Sequence, residues 1–163
     1  MNREPDALQR VEIERKFVLS ELPDGFDRHP RYRIEQGYLA IADDGVEVRV
    51  RRSGPETALT VKSAPGLVRV EEEIAIDERQ FASLWDLTAG RRVAKTRYLV
   101  ELGDGLTAEV DVYDDALEGL LTAEIEFPSE AVSLAFRPPP WLGTEVTGDE
   151  RYANRSLAVD GAP

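Results

Sequence analysis

Glu12, Glu14 and Lys16 alternate along one short run, Val11-Glu12-Ile13-Glu14-Arg15-Lys16-Phe17. In an extended chain every second residue points the same way, so these two carboxylates and this ammonium share a face opposite Val11, Ile13 and Phe17. Hard divalent cations take carboxylate oxygens, and phosphate groups take ammonium and guanidinium donors. A face of this kind therefore suits a cation and a polyanion held together. The pattern recurs. Gln36 and Tyr38 share a face; Glu47, Arg49 and Arg51 oppose Val46, Val48 and Val50; Thr60 and Lys62 oppose Leu59 and Val61. Arg69, Glu71 and Glu73 oppose Val70 and Ile74, with Glu72 interrupting the apolar side. Lys95, Arg97 and Glu101 oppose Tyr98, Val100 and Leu102. Glu109 and Asp111 oppose Val110 and Val112, and Glu124 and Glu126 oppose Ile125 and Phe127.

Two readings of these faces stand side by side. Charged and apolar residues alternate in any strand with one face in water and one in the core. Solvent faces, however, mix in Thr, Ser and Gln, whereas here the polar positions are mostly fully charged. The signs are also sorted by strand into basic sets (Arg49/Arg51, Lys95/Arg97) and acidic pairs (Glu12/Glu14, Glu71/Glu73, Glu109/Asp111, Glu124/Glu126). Like charges at that spacing repel, so a plain surface gains nothing from them. If the sheet curls with the charged face inward, the lumen must be wet, extensively paired or filled by a charged ligand, because burying bare charge is prohibitive.

Composition narrows the chemistry further. The 163 residues suit one domain with a substantial core. Asp and Glu number 32 against 20 Lys and Arg, a net charge of −12, which argues against broad nucleic-acid binding and suits the holding of divalent cations. There is no cysteine, which excludes disulfides, thiol nucleophiles and thiolate zinc sites. The single histidine, His29, lies in a Pro/Arg-rich stretch and is expected in a surface loop, so Ser-His-Asp catalysis is not indicated. The N-terminal MNREPDALQR lacks the apolar core of a signal peptide, and no apolar run approaches the roughly 18 residues of a membrane helix. The expectation is a cytoplasmic protein with no membrane or nucleic-acid partner.

The elements that must carry these faces are short alternating segments separated by turn signals. The pattern predicts strands over 10–19, 32–42, 45–53, 57–63, 67–76, 92–102, 106–113 and 120–127. The separators are Asp43-Asp44-Gly45, Ser53-Gly54-Pro55, Ala64-Pro65-Gly66 and Gly103-Asp104-Gly105. A helix is predicted over 77–88, capped by Asp77, with Phe81, Leu84 and Trp85 on one face. Shorter helices are predicted over 129–136 and 152–158. Trp85 and Trp141 read as packing residues. Eight strands with few helices point to a mainly β (α+β) antiparallel barrel or sandwich. Residues 1–9 and 159–163 read as tails, with one domain over 10–158.

The ordered set of motifs resembles the CYTH-domain proteins, the triphosphate tunnel metalloenzymes. It comprises Glu12-x-Glu14-x-Lys16, Gln36-Gly37-Tyr38-Leu39, Arg49-x-Arg51, Thr60-Val61-Lys62, Arg69-x-Glu71-x-Glu73 and Lys95-x-Arg97-Tyr98. It continues with Glu109-x-Asp111, Glu124-x-Glu126, Glu145-Val146-Thr147 and Arg151-Tyr152-x-Asn154. The chain is most similar to the short bacterial members that act as inorganic tripolyphosphatases. The resemblance implies a closed eight-stranded antiparallel barrel, the triphosphate tunnel, with a few flanking helices. It implies phosphate contacts from Lys16, Arg49, Arg51, Lys62, Lys95 and Arg97. It implies Mg²⁺ or Mn²⁺, two ions, held by Glu12, Glu14, Glu124 and Glu126 with Asp111 nearby, and Arg69, Glu71 and Glu73 as supporting charges. Tyr38 falls on the lumen face.

The expected reaction is metal-dependent hydrolysis of tripolyphosphate, or a related organic triphosphate, to pyrophosphate and phosphate, by positioning and charge neutralisation. Lys95 with Tyr38 orienting the water is one candidate for the base, and Glu14 is the other. Class IV adenylate cyclase, thiamine triphosphatase and a non-catalytic polyphosphate-binding module are the competing readings. Either a monomer or a homodimer is compatible with the sequence.

Overall fold

The computed structural model describes residues 13–63 and 70–163. Glu12, Arg69 and the expected turn at Ala64-Pro65-Gly66 therefore lie outside the described residues. The described residues form one antiparallel sheet of nine strands: β1 (Ile13–Val18), β2 (Arg31–Ile41), β3 (Glu47–Ser53), β4 (Glu56–Lys62), β5 (Glu71–Ala75), β6 (Arg92–Gly103), β7 (Leu106–Tyr113), β8 (Leu121–Phe127) and β9 (Thr144–Glu145). Their order is β5-β4-β3-β2-β6-β7-β8-β1-β9. The eight expected strands are all present. The turn chemistry explains the hairpins: Gly103, Asp104 and Gly105 all have positive φ (87°, 52° and 74°), which suits the tight β6–β7 connection.

The closed eight-stranded barrel is not what the hydrogen bonding shows. Among the described residues the sheet runs from a free edge at β5 to a ninth strand, β9, without a closing ladder. β9 is only two residues long and pairs with Phe17 and Val18, occupying the side of β1 at which closure would begin. Alternation dictates which side chains share a face, but it does not specify how the two ends of a sheet meet.

The two faces have different fates. On the apolar face, Phe17 of β1, Val100 of β6, Ala108 and Val110 of β7, and Ile125 of β8 pack into one buried cluster with Leu142. Each large side chain so buried contributes about 1.5–3 kcal/mol. Helix α2 (Glu130–Ala135), capped by Ser129, lies against β1 and β8 on this side. Over β3 and β4 the cover is helix α1 (Glu78–Trp85), whose Asp77–Gln80 capping box satisfies donors at its first turn. Phe81 of α1 is buried and carries the Arg52 guanidinium over its ring at 4.3 Å. Trp85 stacks on Phe81 and under Arg92, and Trp141 packs against the larger cluster, so both tryptophans are packing residues.

Gly37 is where the turn after α1 meets β2. A Cβ there would stand 2.4 Å from Thr88 Oγ1, so only glycine permits the approach. Helix α3 (Asn154–Asp160) instead covers one end of the charged face, where Leu157 and Ala158 pack with Tyr38, Val93 and Tyr113. Among the described residues no helix is long and apolar enough to cross a membrane.

Candidate active site on the charged face

The floor of the site is a buried ion cluster built by β6 and β7. Asp111 is fully buried. Its Oδ2 accepts from Lys95 Nζ at 2.6 Å and from Arg97 Nη2 at 2.7 Å, while its Oδ1 accepts from Arg97 Nε at 2.7 Å. The antiparallel register sets Arg97 directly opposite Asp111, which gives this fork its geometry. Burial works against the Arg97 charge, but Asp111, Glu109 and Glu124 more than reverse that and hold its pKa above the ordinary guanidinium value. Tyr113 lies beneath Lys95, with its ring 5.1 Å from Nζ. Burial raises the Tyr113 hydroxyl well above the usual phenol range.

Glu124 links this floor to β1. Its Oε1 lies 2.9 Å from Lys16 Nζ and its Oε2 3.2 Å from Arg97 Nη2. Burial alone would raise the Glu124 carboxyl, but Lys16, Lys95 and Arg97 together pull it down to about 2. Lys16 Nζ also donates to the Tyr152 carbonyl at 2.7 Å, which ties the C-terminal segment to the site.

β3 and β4 supply cations that are less well matched. Lys62 Nζ lies 2.7 Å from Glu71 Oε2, and Arg49 Nη2 reaches Glu71 Oε1 at only 3.4 Å. Arg49 Nε and Arg51 Nε are buried with no hydrogen-bond partner among the described residues. Desolvation lowers the Arg51 pKa, and the neighbouring charges of Arg97 and Arg49 lower it further. Each buried donor left unsatisfied costs about 1–3 kcal/mol. Two buried guanidinium N–H groups on β3 are thus left without an acceptor among the described residues.

Three cavities lie along this face, with volumes of about 340, 270 and 550 Å³. Glu14 and Glu124 line all three, so the cavities meet along β1 and β8. The middle one is bounded by Arg49, Arg51, Lys62, Lys95 and Arg97, five of the six expected phosphate contacts. Lys16, the sixth, lines the first cavity together with Tyr38.

The carboxylates divide into two groups. Glu14, Glu124 and Glu126 line the largest cavity, and the β1–β8 register places Glu14 directly opposite Glu126. Like charges facing each other across strands destabilise a sheet unless a cation offsets them. Asp111 lines none of the three cavities, and both its oxygens are engaged by Lys95 and Arg97. Glu71 pairs with Lys62 and Arg49, and Glu73 accepts from Thr60 Oγ1 at 3.5 Å. Among the described residues no group of three or more His, Cys, Asp or Glu side chains is gathered closely enough to hold a metal ion by itself.

Several residues at the site carried no assigned role in the sequence. Glu47 is buried on the rim of the first cavity and is met by Arg155 Nη1 at 3.3 Å. Asn154 lines the first and middle cavities, with its Oδ1 3.5 Å from Lys95 Nζ. Gln36 is buried and donates from Nε2 to Tyr38 Oη at 2.9 Å. Gln36 and Asn154 both belong to the motifs quoted above, so membership of those motifs was the available signal.

An antiparallel sheet that lines one face with lysines, arginines and carboxylates around three cavities agrees with the resemblance of the sequence motifs to the CYTH-domain proteins. No protein-family model matches the chain. It is, however, 49% identical over 149 residues to an inorganic triphosphatase of Nitrosomonas europaea, spanning 91% of this chain and 97% of that protein. It is 38% identical to an inorganic triphosphatase of Acetivibrio thermocellus, spanning 90% of this chain and 92% of that one. A crystal structure of an inorganic triphosphatase superposes with a TM-score of 0.77 at 47% identity, covering 91% of this chain and 94% of the other. A Hippeastrum protein proposed as an adenylyl cyclase and found to have a dominant triphosphatase activity shares the fold at 16% identity and a TM-score of 0.51, covering 76% of this chain and 83% of that one. The chain belongs to the inorganic triphosphatase family.

Proposed function

We propose that this protein hydrolyses inorganic tripolyphosphate to pyrophosphate and orthophosphate in a divalent-metal-dependent reaction. The observation that carries the reading is the pair of buried Nε atoms of Arg49 and Arg51. They lack partners among the described residues, beside a cavity also bounded by Lys62, Lys95 and Arg97. A chain of phosphates supplies the missing acceptors, with forked guanidiniums taking paired oxygens and lysines acting as point charges. In this reading the charged face closes around the substrate as a tunnel wall.

The donor set fits Mg²⁺ or Mn²⁺. Glu14, Glu124 and Glu126 offer only hard oxygen atoms, and the Glu14–Glu126 juxtaposition is relieved by a cation. Mg²⁺ is commonly held by one or two carboxylates completed by substrate phosphates, so a protein-only cage is not required. Two ions are proposed, with Glu12 as a further ligand to the one at Glu14. When bound, the ions neutralise phosphate charge and acidify the attacking water.

The protein's own groups do the rest. Arg49, Arg51 and Lys62 grip the chain from one side, and Lys16, Lys95 and Arg97 from the other. The water oxygen bonds to the terminal phosphorus in line, the bridging P–O bond breaks, and its electron pair leaves with pyrophosphate. A base role for Lys95 would require breaking its ion pair with Asp111, so the water proton is assigned to the Glu14 carboxylate. Tyr38, on the rim of the same space, orients the reacting end.

Purified protein with Mg²⁺ or Mn²⁺ is offered tripolyphosphate, ATP and thiamine triphosphate in parallel. Equal yields of pyrophosphate and phosphate from tripolyphosphate, at the highest rate of the three, are expected. Cyclic AMP production, preference for thiamine triphosphate, or tight polyphosphate binding without turnover overturns the reading.

A further inference from the structure

Gln36 and Tyr38 lie two residues apart on the charged face of β2, with exposures of only 3% and 1%. Gln36 Nε2 donates to Tyr38 Oη at 2.9 Å. A phenolic hydroxyl has one proton, held near the ring plane, so it can point to either of two sides. A donor on one side leaves the proton only the other. Arg49, opposite Tyr38 in the β2–β3 register, also donates to the phenol oxygen and, having donors only, cannot take that proton. The Glu47 carboxylate bears on Tyr38 through its charge, while its Oε1 accepts from Arg155 Nη1 at 3.3 Å. The cavity that Tyr38 lines together with Lys16, Arg49 and Lys62 is the open direction in which a substrate oxygen can take the proton. Burial raises the Tyr38 hydroxyl above its ordinary value, in keeping with a neutral donor.

We propose that Gln36 is a positioning residue, which turns the Tyr38 hydroxyl proton toward the terminal phosphate so that Tyr38 donates to it as charge builds on the phosphoryl oxygens. This rests on the tripolyphosphatase reading above and adds to it the device that orients Tyr38. Gln36 acts only through its neighbour. It fills a direction that would otherwise leave the phenol free to point away from the substrate.

A double-mutant cycle tests this, with kcat and KM for tripolyphosphate measured at saturating Mg²⁺. Gln36→Leu keeps the shape and removes the donor. It is expected to lower kcat about tenfold with KM within about twofold, since one misdirected hydrogen bond is at stake. Tyr38→Phe is expected to lower kcat at least as much. The double variant is expected to match Tyr38→Phe alone, because without the hydroxyl there is nothing for Gln36 to orient. Gln36→Glu, whose carboxylate accepts the phenol proton and draws it from the substrate, is expected to lose at least as much kcat as Gln36→Leu. If Gln36→Leu fails to fold, as judged by thermal melting, Gln36→Glu carries the cycle. Losses that multiply in the double variant, a loss confined to KM, or wild-type kcat in both Gln36 variants overturns the inference and leaves the functional reading standing. A wild-type protein inert on tripolyphosphate overturns both.

Discussion

Lys95 and Asp111 form an ion pair in which Nζ and Oδ2 stand 2.6 Å apart with side-chain exposures of 3% and 0%. The same carboxylate holds Arg97 through two further bonds of 2.7 Å, so one buried negative charge orients two cations that face the substrate space. Removing one partner of a buried ion pair leaves uncompensated charge and costs about 3–5 kcal/mol. Asp111→Asn keeps the shape and removes the charge. Its urea unfolding free energy is expected to fall by about 3 kcal/mol or more. An unchanged midpoint would mean that Asp111 does not serve as the internal counter-ion.

Arg51 presents the opposite case. Its Nε is buried without a partner among the described residues, and the charges of Arg97 and Arg49 disfavour its own. Arg51→Met removes that frustration while keeping an unbranched chain. The variant is expected to be as stable as the wild type or more stable by about 1 kcal/mol, while losing about a hundredfold in kcat/KM for tripolyphosphate. Thermal melting with and without tripolyphosphate and Mg²⁺ checks both halves. The wild type should gain much more from ligand than the variant. A variant that is destabilised yet fully active contradicts the assignment.

Much of this arrangement was legible in the sequence for a physical reason. A strand's side-chain period of two sorts its faces, so Glu14 and Lys16, Arg49 and Arg51, and Lys95 and Arg97 reveal their common direction without coordinates. The mutual placement of strands was not legible. Nothing in the alternation says that Glu14 faces Glu126, or that Asp111 falls opposite Arg97 and is absorbed by it. Register is a property of pairs of strands. β9 escaped notice because its two residues are too few to show a period. The open edge at β5, every residue of which is exposed, had one local sign, the interruption of the apolar side by Glu72, and one charged residue does not say where a sheet ends. The alternation put Glu47 on the charged face, but its pairing with Arg155, like the approach of Asn154 to Lys95, is a long-range contact that no local period encodes.

The Glu124 carboxyl supplies a pH signature for the metal-free protein. Burial works to raise it, but Lys16, Lys95 and Arg97 bring it down from 4.5 to about 2. A group whose folded pKa lies below its unfolded value contributes stability above the unfolded pKa and loses it as pH falls toward the folded one. The contribution is therefore complete above pH 4.5 and declines from there to about 2. Glu124→Gln lacks the titration. The stability difference between wild type and variant, from urea unfolding at a series of pH values, is expected to narrow across that window and to be flat above it. A difference independent of pH would remove the assigned role of Lys16 and its neighbours.

The facing pair Glu14 and Glu126 makes metal dependence testable apart from turnover. Two carboxylates opposite each other on β1 and β8 repel, and a divalent cation between strand and substrate offsets that repulsion. Chelation with EDTA is expected to abolish activity, and Mg²⁺ or Mn²⁺ to restore it. Neutralising one member, as in Glu126→Gln, is expected to leave the melting temperature of the metal-free protein little changed, because Glu126 is exposed and its charge is screened by solvent. The same change should weaken cation binding, so that the metal concentration giving half-maximal activity rises about tenfold or more. The contrast matters. A residue that braces the fold would lose stability on substitution, whereas an exposed metal ligand keeps its stability and loses metal. A Glu126→Gln protein that melts lower than wild type and keeps its metal response would place the cation elsewhere on the charged face.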